Sequence, residues 1–351
     1  MQHLPAEESV KEQADAIGTE AVSCYDLNIT AVQPVAGETD CWTVFAQEGV
    51  FRLYLKEQME YTLTLLQVWE YLQAQGFSRL AALQMTRDGD IAVNMNDKLA
   101  FLIEALEGRP GELALQSDSV ELGRCLAELH VLSQGIQPLL VDPSDPSVLA
   151  EPSLARQRED LELFYTMARH RLYPTGFDRL FVDLYEAAAR LADQTLEWLA
   201  ESPFDQLEEE PCWTGLLLGS CRGRSFKVDD EGTLRVPCIR AIKWGLCVRD
   251  LAGLLDDLGV YTNWSPAAAS RVLDAYSCVR HLHPEEKELM YWLGIFPTGI
   301  WEISCDYYKG RRRQEDPGAA EALRQEWQKT VNRMQYWHLL LGDELGYENR
   351  C

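Results

Sequence analysis

The spacing of apolar positions along the chain changes period repeatedly, and each change marks an element. Cys41 to Gln47 and Val50 to Lys56 are β-rich runs joined at Glu48-Gly49, a hairpin signal. In the second run Phe51, Leu53 and Leu55 alternate with Arg52, Tyr54 and Lys56, the period of a half-buried strand. The period then lengthens. Leu65, Val68, Trp69 and Leu72 fall at i, i+3, i+4 and i+7, which predicts a helix, and Gly76 is placed to end it. Two more β runs flank Asp88-Gly89 and a third spans Leu99 to Ala105. Glu107-Gly108-Arg109-Pro110-Gly111 is then a cluster of breakers.

Beyond the breakers the helical period dominates. Leu122, Cys125, Leu126 and Leu129 form one stripe closed by Gly135, and Pro138 to Pro152 is a connector rich in Pro and Asp. Long helices are predicted at 155–171 and 177–201. Residues 212–245 interrupt the pattern with short β-like runs at Ser225 to Val228 and Thr233 to Ile239. Helices resume at 249–258 and 266–280; Pro266 after Ser265 is a start signal, and Pro284 repeats it for the next helix. The last helix, 318–342, is predicted to carry Trp327, Val331, Met334 and Leu341 on one stripe. There is no internal repeat. The pattern predicts a small β-rich lobe, a linker near 106–112 and a large helical lobe, with any ligand held between the lobes.

Composition narrows the function. At roughly 150 residues per domain, 351 residues fit two lobes or one large domain. Apolar residues are 46% and charged residues 25%, ordinary values for a chain that buries a core. Acidic side chains number 56 against 32 basic ones, a net charge of −24. That is a poor footprint for nucleic acid and for an anionic membrane surface, so neither is expected as a partner. Apolar stretches such as Trp213 to Leu218 fall far short of the ~20 residues that span a bilayer. The polar, acidic N-terminus has no signal-peptide pattern, so synthesis in the cytoplasm is expected. The ten cysteines show no CxxC pair and no zinc-finger spacing. They are expected to be mostly reduced and buried, with Cys351 the exposed thiol.

Several stretches then matter as a set. Phe51 to Lys56 is a strand ending in lysine, and Phe101 to Arg109 runs from a strand into a Glu-Gly-Arg turn. Leu122 to Leu132 contains Leu126-Ala127-Glu128-Leu129-His130, and Arg249-Asp250-Leu251 opens a later helix. Ile295-Phe296-Pro297 is followed by Tyr307-Tyr308-Lys309. In this order, over about 25–345, the chain resembles the CotS-type spore coat family. That family lies in the aminoglycoside phosphotransferase/choline kinase branch of the protein-kinase-like fold. The resemblance implies an α+β, bilobal protein-kinase-like fold. Its parts would be an N-terminal segment at 1–24, an N-lobe at 25–106, and a helical C-lobe at 107–345 with catalytic and metal loops at 212–245. It also implies Lys56 as the nucleotide lysine, with Glu104 and Leu106 in the hinge.

The catalytic motifs of the family are where the chain departs from it. Phosphoryl transfer needs a base for the acceptor proton, ligands for Mg²⁺ and a lysine on the phosphates. The family carries the base in a C-H-x-D-x-x-x-x-N run and a metal ligand in a later I-D-x-D run. Set on Cys212 to Ser220, the first run has Trp213 for the His, Gly215 for the base Asp and Ser220 for the metal-binding Asn. Counted back from Arg249-Asp250-Leu251, the second has Cys238 for the metal Asp. The first register holds to one or two positions, but a slip supplies no carboxylate. Between Cys212 and Asp250 the acids are Asp229, Asp230 and Glu231, in a stretch that reads as a β-turn. Loss of one preorganised stabilising group already costs ~10²–10³ in rate.

The remaining candidates each have a plain structural reading. Arg240 and Lys243 put positive charge where the family has acid; they pair with surface carboxylates or face a phosphate. Trp213 and Leu216 to Leu218 fill the floor of the cleft or meet an apolar partner group. His130 reads as a satisfied structural histidine, and His281-Leu282-His283 as a helix-start turn. Lys309 to Arg313 is a solvated basic stretch, or a dock for an acidic neighbour including another copy. The function expected is a catalytically inactive pseudokinase, a scaffold of the spore coat, made in the mother cell and bound to other spore coat proteins. No cofactor and no metal are expected. The alternatives are a small-molecule phosphotransferase with a rewired site using Lys56, and a module that senses ATP without turnover; both need ATP, and the first needs Mg²⁺.

Overall fold

The alternation at residues 51–56 becomes the middle of an antiparallel sheet. The computed structural model describes residues 18–36, 38, 40–56, 59–95, 97–134, 136, 153–202, 211–219, 226–237, 243–310, 318–342 and 344–346. The N-lobe runs β1 (Ile29–Pro34), β2 (Cys41–Ala46), β3 (Gly49–Lys56), α1 (Met59–Ala74), β4 (Leu83–Gln84), β5 (Val93–Met95) and β6 (Lys98–Glu104). The strand order is β1-β2-β3-β6-β4, with β5 also on β6. The β2–β3 hairpin turns at Gln47 and Glu48, one residue before the predicted Glu48-Gly49, because Gly49 already pairs with Ala46.

The two faces of the sheet have different partners. Phe51, Leu53 and Leu55 of β3 pack with Ala21, Val22 and Tyr25 from the start of the described chain. On the other face Phe101 and Ile103 of β6 meet α1. The predicted stripe of α1, Leu65, Val68, Trp69 and Leu72, is buried there. Arg52, Tyr54 and Lys56 point to this same face, and the Tyr54 and Phe101 rings stack at 5.6 Å.

The C-lobe opens with β7 (Arg109–Pro110), α2 (Gln116–Leu132), α3 (Leu154–His170) and α4 (Gly176–Glu201). The stripe Leu122, Cys125, Leu126, Leu129 is buried, while Gly135 lies outside the described residues, as does the connector at 138–152. Then come β8 (Thr214–Leu217), β9 (Lys227–Val228), β10 (Leu234–Arg235) and β11 (Lys243–Leu246). Helices α5 (Cys247–Tyr261), α6 (Pro266–Ser277), α7 (Pro284–Ile295), α8 (Thr298–Tyr308) and α9 (Ala319–Trp337) complete the lobe. Pro266 and Pro284 sit at the first turn of α6 and α7 as expected.

Two expectations need correction. Strands β8 and β11 pair with each other, Thr214 opposite Leu246 and Leu217 opposite Lys243, where the sequence pattern marks no strand. The last helix is not one stripe. It ends at Trp337 and continues as a π-helical turn, His338–Gly342, which shifts the phase. Within the regular helix Trp327 already packs on a second core, with residues of α3, α4 and α8, whereas Met334 and, in the π-turn, Leu341 join the main core.

Candidate functional site

The strand β8 puts the centre of the first catalytic run inside a sheet. Gly215 lies mid-strand opposite Gly245, in a slot with no room for a side chain. A Cβ there would stand 2.9 Å from both Cys247 Sγ and Ser133 Oγ and 3.3 Å from the His130 carbonyl oxygen. Gly215 is thus a packing position, and the loop proper begins at Leu218. Trp213, at the strand's start, packs partly against the main core. Its ring stacks on His283 at 5.4 Å, just ahead of α7. Leu216 is buried in the main core, and Leu218 packs partly against it. Ser220, Cys238 and Arg240 lie outside the described residues, as does the side chain of Lys243.

The loop is held from below by Asp250, a buried carboxylate in the first turn of α5. Its Oδ2 accepts from the Leu218 N–H at 2.6 Å and its Oδ1 from the Gly219 N–H at 2.9 Å. His130 Nε2 lies 3.6 Å from the same carboxylate, while His130 Nδ1 shares a 2.7 Å hydrogen bond with the Tyr276 hydroxyl. Burial opposes charge on His130, but Tyr276, Cys247 and the Asp250 carboxylate outweigh it, and its pKa is raised well above the ordinary value. Tyr276 also accepts from Arg280, which reaches the Cys212 carbonyl at 2.9 Å and a buried Glu286 at 2.7 Å. His130 is expected to be a satisfied structural histidine, but only its Nδ1 is satisfied: Nε2 is buried without a hydrogen-bond partner among the described residues, 3.6 Å from the Asp250 carboxylate.

The turn at Asp229 to Glu231 also keeps its expected role. Asp229 Oδ1 accepts from Glu231 N–H at 3.0 Å and Thr233 N–H at 2.8 Å, an Asx turn closing β9 onto β10. Mg²⁺ needs several free oxygen donors around one point. The carboxylate nearest the loop, Asp250, is committed to backbone N–H groups, and Asp229 is committed to its own turn. Among the described residues no group of three His, Cys, Asp or Glu side chains converges as a metal site. Ser220 and Cys238, the family's metal positions in the sequence register, lie outside the described residues.

At the hinge the register separates two cations. Arg52 of β3 is opposite Ile103, one residue from Glu104, whereas Lys56 is opposite Leu99 at the far end of β6. Five residues of strand separate the Glu104 and Leu99 ends, about 17 Å at ~3.3 Å per residue. Lys56 is exposed, its ammonium 5.9 Å from the Tyr54 ring centroid. Arg52 donates to Thr43 Oγ1 across the sheet. The nearer cation to the hinge is Arg52, which sequence reasoning passed over; its alternation with Phe51 and Leu53 was the available signal. The Glu104 side chain is already engaged, bidentate with Arg235 at 2.8 Å and 2.8 Å. Arg235 holds that carboxyl below the usual carboxylate range. Leu106 donates its N–H to no described residue. Gly108 follows with φ 106°, and a Cβ there would collide with the Val228 carbonyl, so the position takes glycine on both counts.

Other expected sites fall on ordinary structure. His283 precedes α7, and its N–H donates to Glu286 at 3.1 Å. Lys309 is anchored by Asp160 at 2.9 Å, while Arg311 to Arg313 lie outside the described residues. Among the described cysteines Cys41, Cys125, Cys247 and Cys305 are buried, and Cys212 and Cys278 are exposed. Burial pushes the Cys41 thiol up to about 11 and the Cys125 thiol up to about 12. Cys351 lies outside the described residues.

Comparison with known proteins places this geometry. A family model described as "Spore coat putative kinase YutH" matches residues 25–339. Among solved structures, an aminoglycoside phosphotransferase from Alicyclobacillus acidocaldarius is similar, with a TM-score of 0.78, 17% identity and coverage of 94% of this chain and 96% of that one. A spectinomycin phosphotransferase solved with ADP and its antibiotic has a TM-score of 0.56, 12% identity and coverage of 92% and 98%. A microcompartment-associated aminopropanol kinase has a TM-score of 0.55, 14% identity and coverage of 94% and 98%. At these identities the likeness fixes the fold, which is protein-kinase-like.

Proposed function

We infer the function of this chain from its family: it belongs to the YutH spore coat family, whose model spans residues 25–339. We propose that it is a catalytically silent kinase-fold protein that serves the coat as a scaffold, bound to other spore coat proteins. One observation carries this reading. The segment that should bear the catalytic run is a strand with no space at Gly215, followed by a loop whose first N–H groups are tied down by Asp250. Neither the register set on Cys212 to Ser220 nor a slip of one or two positions supplies a carboxylate. No helix among the described residues is long and apolar enough to cross a membrane.

The test is a thermal-shift titration with ATP, with and without Mg²⁺, beside an assay of ATP consumption. A ligand bound only by the native state raises stability by RT ln(1 + [L]/Kd), roughly 2.7 kcal/mol at a hundredfold excess over Kd. The scaffold reading expects no turnover and stoichiometric association with other coat proteins. Mg²⁺-dependent ATP consumption would defeat it. Arg52 beside the hinge and the Leu106 N–H, which has no partner among the described residues, favour a second reading, nucleotide binding without turnover. Its mark is a thermal shift with ATP that needs no Mg²⁺ and is lost in Arg52→Ala but kept in Lys56→Ala.

A further inference from the structure

The two lobes of this chain are joined by more than the hinge strand. One buried cluster runs without a break from Trp69, Phe77 and Ile103 of the N-lobe to Leu122, Leu126 and Leu255 of the C-lobe. Along its edge the backbone is laced. The segment after α1 meets the end of β10 in a parallel bridge, Leu80 to Val236. Ala81 N–H donates to the Val236 carbonyl at 3.1 Å, and Val236 N–H donates to the Arg79 carbonyl at 2.7 Å. All three of Leu80, Ala81 and Val236 are buried, so these bonds are shielded from competing water.

Two arginines clamp that lacing from opposite sides. Arg79 of the N-lobe donates to both oxygens of Glu128 in α2, at 2.8 and 2.9 Å, and also to Glu121 on the same helix. Arg235 of the C-lobe donates to both oxygens of Glu104 at the hinge and to the Leu80 carbonyl at 3.2 Å. Glu104 in turn accepts from Ala82 N–H at 3.1 Å. The Arg79 side chain is 11% exposed, so its pairs are less screened than surface ones. Forked, bidentate pairs of this kind fix direction as well as distance. A hinge motion would have to break both pairs, both backbone bonds and the shared core together.

We propose that the Arg79–Arg235 suture locks the two lobes into one body, so that the cleft keeps a fixed width whether or not a ligand is present. The inference stands apart from the question of turnover, because a locked cleft is a mechanical property. The test is hydrogen exchange by mass spectrometry on the intact chain, with small-angle scattering in parallel, each with and without millimolar ATP and Mg²⁺. Peptides covering 79–82 and 234–236 should exchange as slowly as the α3–α4 core, and the radius of gyration should not change with nucleotide. Fast exchange at these peptides, or compaction on adding nucleotide, overturns the proposal. Arg235→Ala should speed exchange at Ala81 and Val236 by about tenfold or more, leaving α3 and α4 unchanged. If Arg235→Ala fails to fold, Glu104→Gln breaks one half of the fork with little change of volume and is read the same way. Equal acceleration everywhere would mean that the pair only adds global stability, and the lock would be rejected.

Discussion

Replacing Gly215 by alanine puts a Cβ 2.9 Å from both Cys247 Sγ and Ser133 Oγ. The strand must shift to admit it, and overpacking of this kind costs about 1–3 kcal/mol, read as a lower urea midpoint. Gly215→Asp goes further: it buries a carboxylate in that slot and should lower stability more than Gly215→Ala, with no gain of ATP turnover. A gain would show that the position faces substrate after all. Asp250→Asn is isosteric, yet one N–H acceptor becomes an amide donor facing Leu218 or Gly219. Loss of a charge-assisted bond beside a buried N–H costs about 1.5–3 kcal/mol, and urea unfolding measures it. Thiol labelling tests the cysteine assignments. Among the described thiols, a native pulse of iodoacetamide should mark Cys212 and Cys278, and Cys41 and Cys125 only after unfolding. Early labelling of Cys125 would contradict its buried place in α2.

Helix α4 shows how an element depends on its first turn. Asp178 is buried there and closes a capping box with Thr175, accepting from Thr175 N–H at 2.7 Å while Thr175 Oγ1 accepts from Asp178 N–H at 3.2 Å. The same carboxylate takes Arg171 at 3.0 Å and the Tyr308 hydroxyl at 3.1 Å, tying α4 to α8. Asp178→Ala removes the cap, worth about 1 kcal/mol, and takes the carboxylate from Arg171 and the acceptor from the buried Tyr308 hydroxyl, so the total loss should exceed a simple cap deletion. Faster hydrogen exchange confined to α4 and α8 is the expected signature. Such elements were legible from the sequence: α1 and α2 show their stripes, α6 and α7 their start signals, and β3 its alternation. The strands β8 and β11 were not, because Thr214 to Leu217 and Lys243 to Leu246 are short apolar runs, and such runs carry no period to distinguish strand from loop. The likeness to a catalytic run then drew Gly215 into the loop. The space around Gly215 and the fork between Arg235 and Glu104 depend on contacts between residues far apart in the chain, which no local pattern encodes.

The charge of the whole chain sets how its stability responds to salt and pH. Glu104 and Asp118 are held below the usual carboxylate range by Arg235 and Arg109. Their contribution is complete above the ordinary carboxylate pKa and is lost as pH falls through their depressed folded values. His130 runs the other way: raised in the fold, it stabilises below its ordinary pKa and loses that effect as pH rises through the raised value. Stability should therefore be greatest between these limits, at about pH 5–6.5. Against this stands the surplus of acid, a net charge of −24 at pH 7, which repels itself in the compact state. Raising sodium chloride from about 0.1 M to about 1 M shortens the screening length from ~10 Å to ~3 Å. That weakens the diffuse repulsion more than the close arginine forks, so the melting temperature at pH 7 should rise. Near the sequence pI of 4.6 the surplus is gone and only favourable pairs are left to screen. The same salt step should then leave the melting temperature flat or lower it. A fall at pH 7 would mean that ion pairs such as Arg79 with Glu121 and Glu128 outweigh the self-repulsion of the whole surface.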